Sequence, residues 1–431
     1  MRLEDPAEAM KGDILSSAGI DDLTVQDIQQ LEQWNGHFPD AVDSCVPKVI
    51  HDRIRTQPNA PAVCSWDGEF TYAEVGALST RLALGLLSGP HKDDIQPGNF
   101  IPICMEKSRW VPVAILGILK AGAAFVILDC NHPPERLQSI CQDVKAALVL
   151  TLANQSEIAS TLAPASLIVG QNLFQEESSE DLYEQSPCPN ISSSSPFWAV
   201  FTSGSTGKPK GAIISHSAFV TGALPNIELL ELGPKVRVFQ FASYAFDVGV
   251  MDMLFTLIGG GCICIPSEWQ RQNELSKTLT NLQANWVSFT PSLARILSPK
   301  SLPTLDCLLL AGEAVTQSEI DLWSSHVKLK VAYGPCEAGG CNTTIVPDLA
   351  QAPGPANLGQ SPALCCWVVD PQDHHKLMPV GVEGELLLEG HALSEGYINQ
   401  PQLTAATYID PPRLDGPGQT LKDWEEAVQV W

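Results

Sequence analysis

Short apolar runs rich in β-branched residues alternate with longer helical patterns through most of this chain. No other feature limits its fold as tightly. Phe125–Leu128, Ala147–Leu150, Trp198–Phe201, Cys262–Ile265 and Val287–Phe289 have the length and make-up of buried strands. Arg81–Leu87, Val111–Lys120 and Glu274–Gln283 carry apolar residues at helical spacing. Strands that are apolar on both faces need cover on both faces, and intervening helices supply it. The alternation therefore predicts an α/β fold with mostly parallel sheets. From about Gly359 the texture changes. Cys366–Val369 and Glu385–Leu388 are short runs separated by Pro/Gly turns, which predicts a small antiparallel β unit. Glu176 to Pro196, acidic and then Ser-rich over Ser192–Ser195, reads as a linker.

Charge narrows the function. The 431 residues include 49 acidic and 25 basic side chains, a formal net charge of −24. Such a chain lacks the basic footprint that nucleic acids or anionic membranes require. With 44% hydrophobic and 17% charged residues it is no disordered polyanion, and its length suggests two or three packed units. The apolar stretches Trp110–Asp129 and Val248–Ile265 are broken by Lys120 and Gly122, and by Asp252 and Gly259–Gly261, so neither reads as a membrane span. The start, MRLEDPAEAMKGD, has no signal-like apolar core. Thirteen cysteines without a CxxC pair fit reduced, buried thiols, so a cytoplasmic location is expected. The histidines show no metal-ligand spacing.

One loop concentrates the opposite chemistry. Phe201 to Gly211, FTSGSTGKPKG, follows a predicted strand and holds two Ser, two Thr, three Gly and two Lys. Glycines let several N–H groups converge on an anion, hydroxyls add donors, and Lys208 and Lys210 add charge. A polyphosphate explains such a cluster in so acidic a chain. The loop is not a Walker A motif, because Thr202 stands where its first Gly belongs.

At this loop the sequence resembles the adenylate-forming enzymes, and other blocks narrow the resemblance to adenylation domains of nonribosomal peptide synthetases. Phe70 to Glu74 with Leu78-Ser79 and Arg81 to Ala83 looks like the family's first core motif. Leu119 to Asp129, with His132-Pro133 and Arg136-Leu137, looks like the second, and the loop is the third. Phe246 to Asp252 looks like the fourth, and Tyr333 to Glu337 like the fifth, with Cys336 where Thr is usual. Gly384 to Leu386 through Gly396-Tyr397 and Asn399 looks like the sixth. The blocks stand in family order over roughly residues 45 to 410. Glu106 to Ser108 and His132-Pro133 are similar in wording to synthetases of filamentous fungi.

The resemblance implies two mostly parallel sheets layered with helices plus a small distorted β-barrel. It implies α/β subdomains over 45–190 and 191–358, a β unit over 359–409, and an atypical tail over 410–431. Residues 1–44 resemble the connection from a condensation domain. The implied reaction joins an amino-acid carboxylate to the α-phosphate of ATP, giving an aminoacyl adenylate and pyrophosphate. Thr202, Ser203, Gly204, Ser205, Thr206, Gly207, Lys208 and Lys210 would hold the phosphates, and Thr202, Lys210 and Glu337 form the implied catalytic set. Glu337 would bind Mg²⁺, a hard cation suited to carboxylates. Tyr333 with Gly334 would stack on adenine, and Gly312, Glu313 and Ala314 would run along the purine edge. Asp247 would face the substrate's α-ammonium. Val248, Met251, Ser288, Leu309, Ala311, Ala332, Gly340 and Cys341 would surround its side chain. That lining is mostly apolar and partly small, so an apolar or aromatic amino acid is expected, with Ser288 available to a polar tip. Implied partners are condensation and carrier domains, the latter bearing phosphopantetheine.

The sequence departs from the family after Tyr408. The Tyr-Arg-Thr-Gly-Asp block does not occur, nor does the C-terminal subdomain with its lysine. The chain is therefore expected to be truncated and crippled in adenylation. Its tail is expected to form a short amphipathic helix, with Thr420 and Asp423 at its start and Leu421, Trp424, Val428 and Trp431 on one face. Two other readings stand beside this one: a carboxylate–CoA ligase, which Asp247 argues against, and an inactive nucleotide-binding remnant.

Overall fold

The computed structural model describes residues 23–36, 39–174, 191–203, 209–352, 354–409 and 428–430. Three sheets organise them. The first has eight strands, in the order Thr344–Val346, Lys328–Tyr333, Cys307–Leu310, Trp286–Phe289, Arg237–Phe239, Cys262–Ile265, Pro61–Ser65 and Gly68–Thr71. Its inner strands run parallel and only the two edge strands are antiparallel. The second has seven strands, Gly396–Tyr397, Pro209–Ser215, Pro196–Ser203, Ala124–Leu128, Phe100–Cys104, Leu148–Thr151 and Ala165–Ile168, and is parallel except at its first two pairings.

Two helices show why the apolar runs fold as they do. Trp110–Ala121 is buried along its whole length, and Asp247–Gly259 is buried from Gly249 onward. Each ends on a glycine in the left-handed region, Gly122 at φ +93° and Gly260 at φ +91°, where a side chain would be strained. Each then feeds a wholly buried strand, Ala124–Leu128 and Cys262–Ile265. Lys120, which interrupts the first apolar run, is itself buried and donates to the Gly76 carbonyl and to the hydroxyls of Ser79 and Thr80. One continuous core joins side chains of both large sheets to these helices. Nine of the twelve described cysteines are buried thiols. Among the described residues, no helix is long and apolar enough to cross a membrane.

The small β unit is antiparallel, with strands Asp373–Leu377, Cys365–Asp370, Glu385–Glu389, Val428–Val430 and Tyr408–Ile409 in that order. Here the tail differs from its expectation. Val428–Val430 is a strand between Glu385–Glu389 and Tyr408–Ile409, not part of a helix. Its two valines favour extended backbone, and pairing on both sides satisfies strand edges. The rest of the expected tail helix, from Thr420 to Ala427 and at Trp431, lies outside the described residues, as do residues 176–190 of the expected linker. The end of that linker is ordered by pairing. Ser195 N–H donates to the Ser192 carbonyl, and a strand begins at Pro196. Near the N-terminus, Thr24 and Asp27 form a capping box on the helix Val25–Asn35. Asn35 exchanges hydrogen bonds with the Cys366 backbone, tying that helix to the β unit.

Candidate active site

In open α/β sheets, ligands bind beyond the carboxyl ends of parallel strands. The candidate residues sit there. The strand Arg237–Phe239 leads to Phe246 and Asp247, Cys307–Leu310 leads to Ala311–Ala314, and Lys328–Tyr333 leads to Gly334–Glu337. In the second sheet, Ala124–Leu128 leads to Asp129 and His132. Pro196–Ser203 and Pro209–Ser215 form a hairpin in which Thr202 pairs with Lys210. The Gly-rich loop is therefore the turn of a hairpin. Its residues Gly204, Ser205, Thr206, Gly207 and Lys208, and the Ser203 side chain, lie outside what is described.

Thr202, Lys210, Asp247 and Glu337 line one open cavity of about 520 Å³, together with His132, Arg136 and Phe246. Glu337 is its hub. Lys210 Nζ lies 2.7 Å from Glu337 Oε1, and the Tyr397 hydroxyl donates to the same oxygen at 2.6 Å. The Cys336 thiol donates to Oε2 at 3.0 Å. Burial pushes the Glu337 carboxyl up, but these three donors outweigh it and hold it below its ordinary value. Cys336, standing where the family usually has Thr, thus does the work a hydroxyl would do. Among the described residues, Thr202 Oγ1 is buried with no hydrogen-bond partner, and so is Arg136 Nε. Both belong to residues that line the open cavity and can take an anion.

Asp247 is the first residue of its helix, and its Oδ1 accepts from Val248 N–H at 2.8 Å. Burial pushes its carboxyl up to about 6; the Val248 hydrogen bond opposes this, and the nearby Glu337 charge adds to it. A carboxylate so placed gains from a cation that arrives with the ligand.

Beneath the mouth lies a closed cavity of about 10 Å³. Val248, Met251, Ser288, Leu309 and Ala311 all line it. Ala332, Gly340 and Cys341 do not belong to that lining, a departure from their expected place. The Cys341 thiol points to the Phe219 and Gly339 carbonyls, and a Cβ on Gly340 would strike the Trp198 ring at 2.3 Å. Ala332 is packed in the main core. Of the expected adenine-side residues, Tyr333 is half-buried, while Gly334 and Gly312 to Ala314 are exposed. A Cβ on Gly334 would meet Thr343 N at 2.8 Å, so close backbone packing requires Gly there. Glu313 accepts from the Ser292 N–H at 2.9 Å, which fixes this edge to the helix Pro291–Ile296.

Sequence reasoning names no role for Tyr397, His132, Arg136 or Asp252, although each falls inside a quoted motif. Tyr397 and Arg136 stand far from Glu337 and Lys210 along the chain, and only the hairpin and its neighbours bring them together. Asp252 lies four positions after Val248 on one helix and so shares its face, which is the available signal.

A model of the AMP-binding enzyme family matches residues 50–398. The nonribosomal peptide synthetase lenA of Aspergillus lentulus is 43% identical over 384 residues, covering 89% of this chain and 8% of lenA. The nonribosomal peptide synthetase flvI of Aspergillus flavus is 42% identical over 374 residues, covering 87% of this chain and 34% of flvI. The chain thus spans from under a tenth to about a third of these relatives. Among solved structures, the synthetase FmoA3 in an AMPPNP-bound form superposes with a TM-score of 0.80 at 20% identity, over 95% of this chain and 43% of that one. The N-terminal subdomain of Klebsiella oxytoca NpsA, in complex with 3-hydroxybenzoyl-AMSN, gives 0.74 at 21% identity, over 90% of this chain and 96% of that one.

Proposed function

Because the chain belongs to the AMP-binding enzyme family, we propose that it activates an amino acid with ATP, giving an aminoacyl adenylate and pyrophosphate in nonribosomal peptide synthesis. The observation that carries this reading is the shared cavity of Asp247, Lys210, Thr202 and Glu337. A carboxylate that can accept an ammonium lines the same space as Thr202 and Lys210, the two residues that flank the Gly-rich segment. An acyl substrate without an amino group gives Asp247 nothing to pair with.

In this reading the protein positions and stabilises charge. Thr202 Oγ1 and Lys210 Nζ hold phosphate oxygens, and the loop between them adds N–H donors. Tyr333 offers its ring to the adenine, with Gly334 and Gly312–Ala314 beside it. Asp247 fixes the α-ammonium, so the substrate carboxylate is aimed at the α-phosphate. Glu337 suits Mg²⁺ as a hard oxygen ligand. No cluster of three or more acidic, His or Cys residues that could hold a metal exists among the described residues, so one carboxylate would act with phosphate oxygens and water. Mg²⁺ would there neutralise phosphate charge. Glu337 would hold the ion, and Lys210, which now pairs with Glu337, would then be available to phosphate oxygens.

The cavity lining favours an amino acid with an apolar or aromatic body. The aminoacyl group would pass to the phosphopantetheine thiol of a carrier domain with release of AMP, and a condensation domain would be the further partner. Titration calorimetry with aminoacyl sulfamoyl-adenosines tests the reading. Binding dependent on both the aminoacyl and adenosine halves supports it. Binding of adenosine nucleotides without any gain from an aminoacyl group would overturn it.

A further inference from the structure

Buried polar atoms in folded proteins nearly always have a hydrogen-bond partner, so unpaired ones mark a missing one. The closed cavity below Asp247 carries three. Asp252, Trp286 and Asn342 line it, and they are 5%, 4% and 7% exposed. Asp252 Oδ2, Trp286 Nε1 and Asn342 Nδ2 are each buried and without a partner among the described residues. The other Asp252 oxygen is used, since Ser288 Oγ donates to Oδ1 at 3.1 Å. One acceptor and two donors thus remain on residues that line a single, mostly apolar space.

The space of about 10 Å³ takes about one water, which can serve all three atoms when no ligand is bound. A ligand group that displaces that water must reproduce its bonds. An apolar tip leaves all three atoms unpaired. An ammonium or guanidinium tip pairs with Asp252 but faces the Trp286 and Asn342 donors with further donors. A carboxylate tip suits those donors but lies against Asp252. A hydroxyl or carboxamide gives and accepts at once, and fits every atom. Burial first, opposed by Ser288 and the Lys107 charge, pushes the Asp252 carboxyl up to about 7, and a hydroxyl or amide can bond to either of its forms.

We propose that Asp252, Trp286 and Asn342 read the tip of the substrate side chain and select an amino acid ending in a hydroxyl or carboxamide. The proposal rests on the amino-acid-activating reading. The helix also sets the reach. Asp252 lies five residues beyond Asp247, about 7 Å further along the axis. With the ammonium held at Asp247, the tip must extend by a comparable distance. That suits a tyrosine or glutamine side chain and leaves serine short.

The test uses the full chain and paired sulfamoyl-adenosines of Tyr and Phe, and of Gln and Met, with Ser and Glu as controls. Calorimetry should show the Tyr or the Gln compound binding at least tenfold more tightly than its apolar counterpart, with Ser and Glu weakest. In Asp252→Leu the preference should vanish or invert, and Asp252→Asn should keep part of it; circular dichroism melts check that both variants fold. Equal or tighter binding of Phe and Met, or an unchanged preference in Asp252→Leu, would overturn the proposal. If no aminoacyl compound binds while AMP does, the amino-acid-activating reading itself falls, and the proposal with it.

Discussion

Two carboxylates, Glu337 and Asp252, are both almost wholly buried, and the molecule treats them in opposite ways. At the mouth, Glu337 receives a lysine, a tyrosine and a thiol, and its carboxyl is held below the ordinary value. In the cavity, Asp252 receives a single serine hydroxyl, and its carboxyl is pushed up to about 7, first by burial. The mouth is self-satisfied when empty and must exchange partners to bind. The cavity is left short and gains partners by binding. In the proposed reading, a buried carboxylate beside the phosphates needs its own donors, whereas a selectivity pocket gains discrimination by withholding partners from the wrong ligand.

The largest effect that would break this contrast lies at Asp247, between the two regions. Asp247→Ala should weaken an aminoacyl sulfamoyl-adenosine by about 100-fold, the scale for stranding a buried charge, while leaving AMP within about twofold in the same calorimetric titration. An equal loss for both ligands would mean that Asp247 shapes the mouth and does not bind an ammonium. Next is stability. Lys210→Met leaves Glu337 buried without its cation, and should cost about 2 kcal/mol in urea unfolding, less than a fully buried pair because Lys210 is 22% exposed. Asp252→Asn should cost nothing at pH 8 and raise the melting temperature by about 1–3 °C.

Proton linkage gives that last prediction its sign. The Asp252 carboxyl lies at about 7 in the folded chain against an ordinary 3.8, so the folded state holds the proton more tightly. Its stabilising contribution is full below 3.8 and is lost as pH rises through 7. Melting curves from pH 5 to 8 should therefore fall more steeply for the native chain than for Asp252→Asn. Burial pushes the Asp247 carboxyl up to about 6, and only its ionised form attracts an ammonium. Aminoacyl affinity should drop by up to about tenfold per pH unit below 6, with AMP affinity flat. The smallest expected effect is at the rim. Arg136→Ala should weaken ATP about three- to tenfold and sharpen the contrast by leaving aminoacyl selectivity untouched.

Much of this is legible in the chain. The buried strands, the Gly-ended apolar helices and the α/β class follow from local pattern, because apolar runs of that length admit few partners. The hairpin loop and Asp247 announce themselves by residue type and order. The tail misleads because Val428 fits a helix face with Leu421, Trp424 and Trp431 as well as a strand, and only the edge of Glu385–Glu389 decides between them. The polar floor of the cavity escapes a sequence reading for a different reason. Trp286 and Asn342 look like ordinary core and turn residues until the strand Trp286–Phe289 and the turn before Thr344–Val346 bring them to one cavity with Asp252. Motif spacing alone puts Cys341 and Gly340 in the lining, but the turn after Glu337 directs them at Phe219 and Trp198.

The central claim is that the carboxylate at the head of the helix Asp247–Gly259 recognises an amino group beside a phosphate site. Its most direct test is a calorimetric comparison of one aminoacyl sulfamoyl-adenosine with the same compound lacking only the α-amino group. The account predicts at least about 30-fold tighter binding of the amino compound at pH 7.5. Equal affinity, or tighter binding of the compound without the amino group, would contradict it.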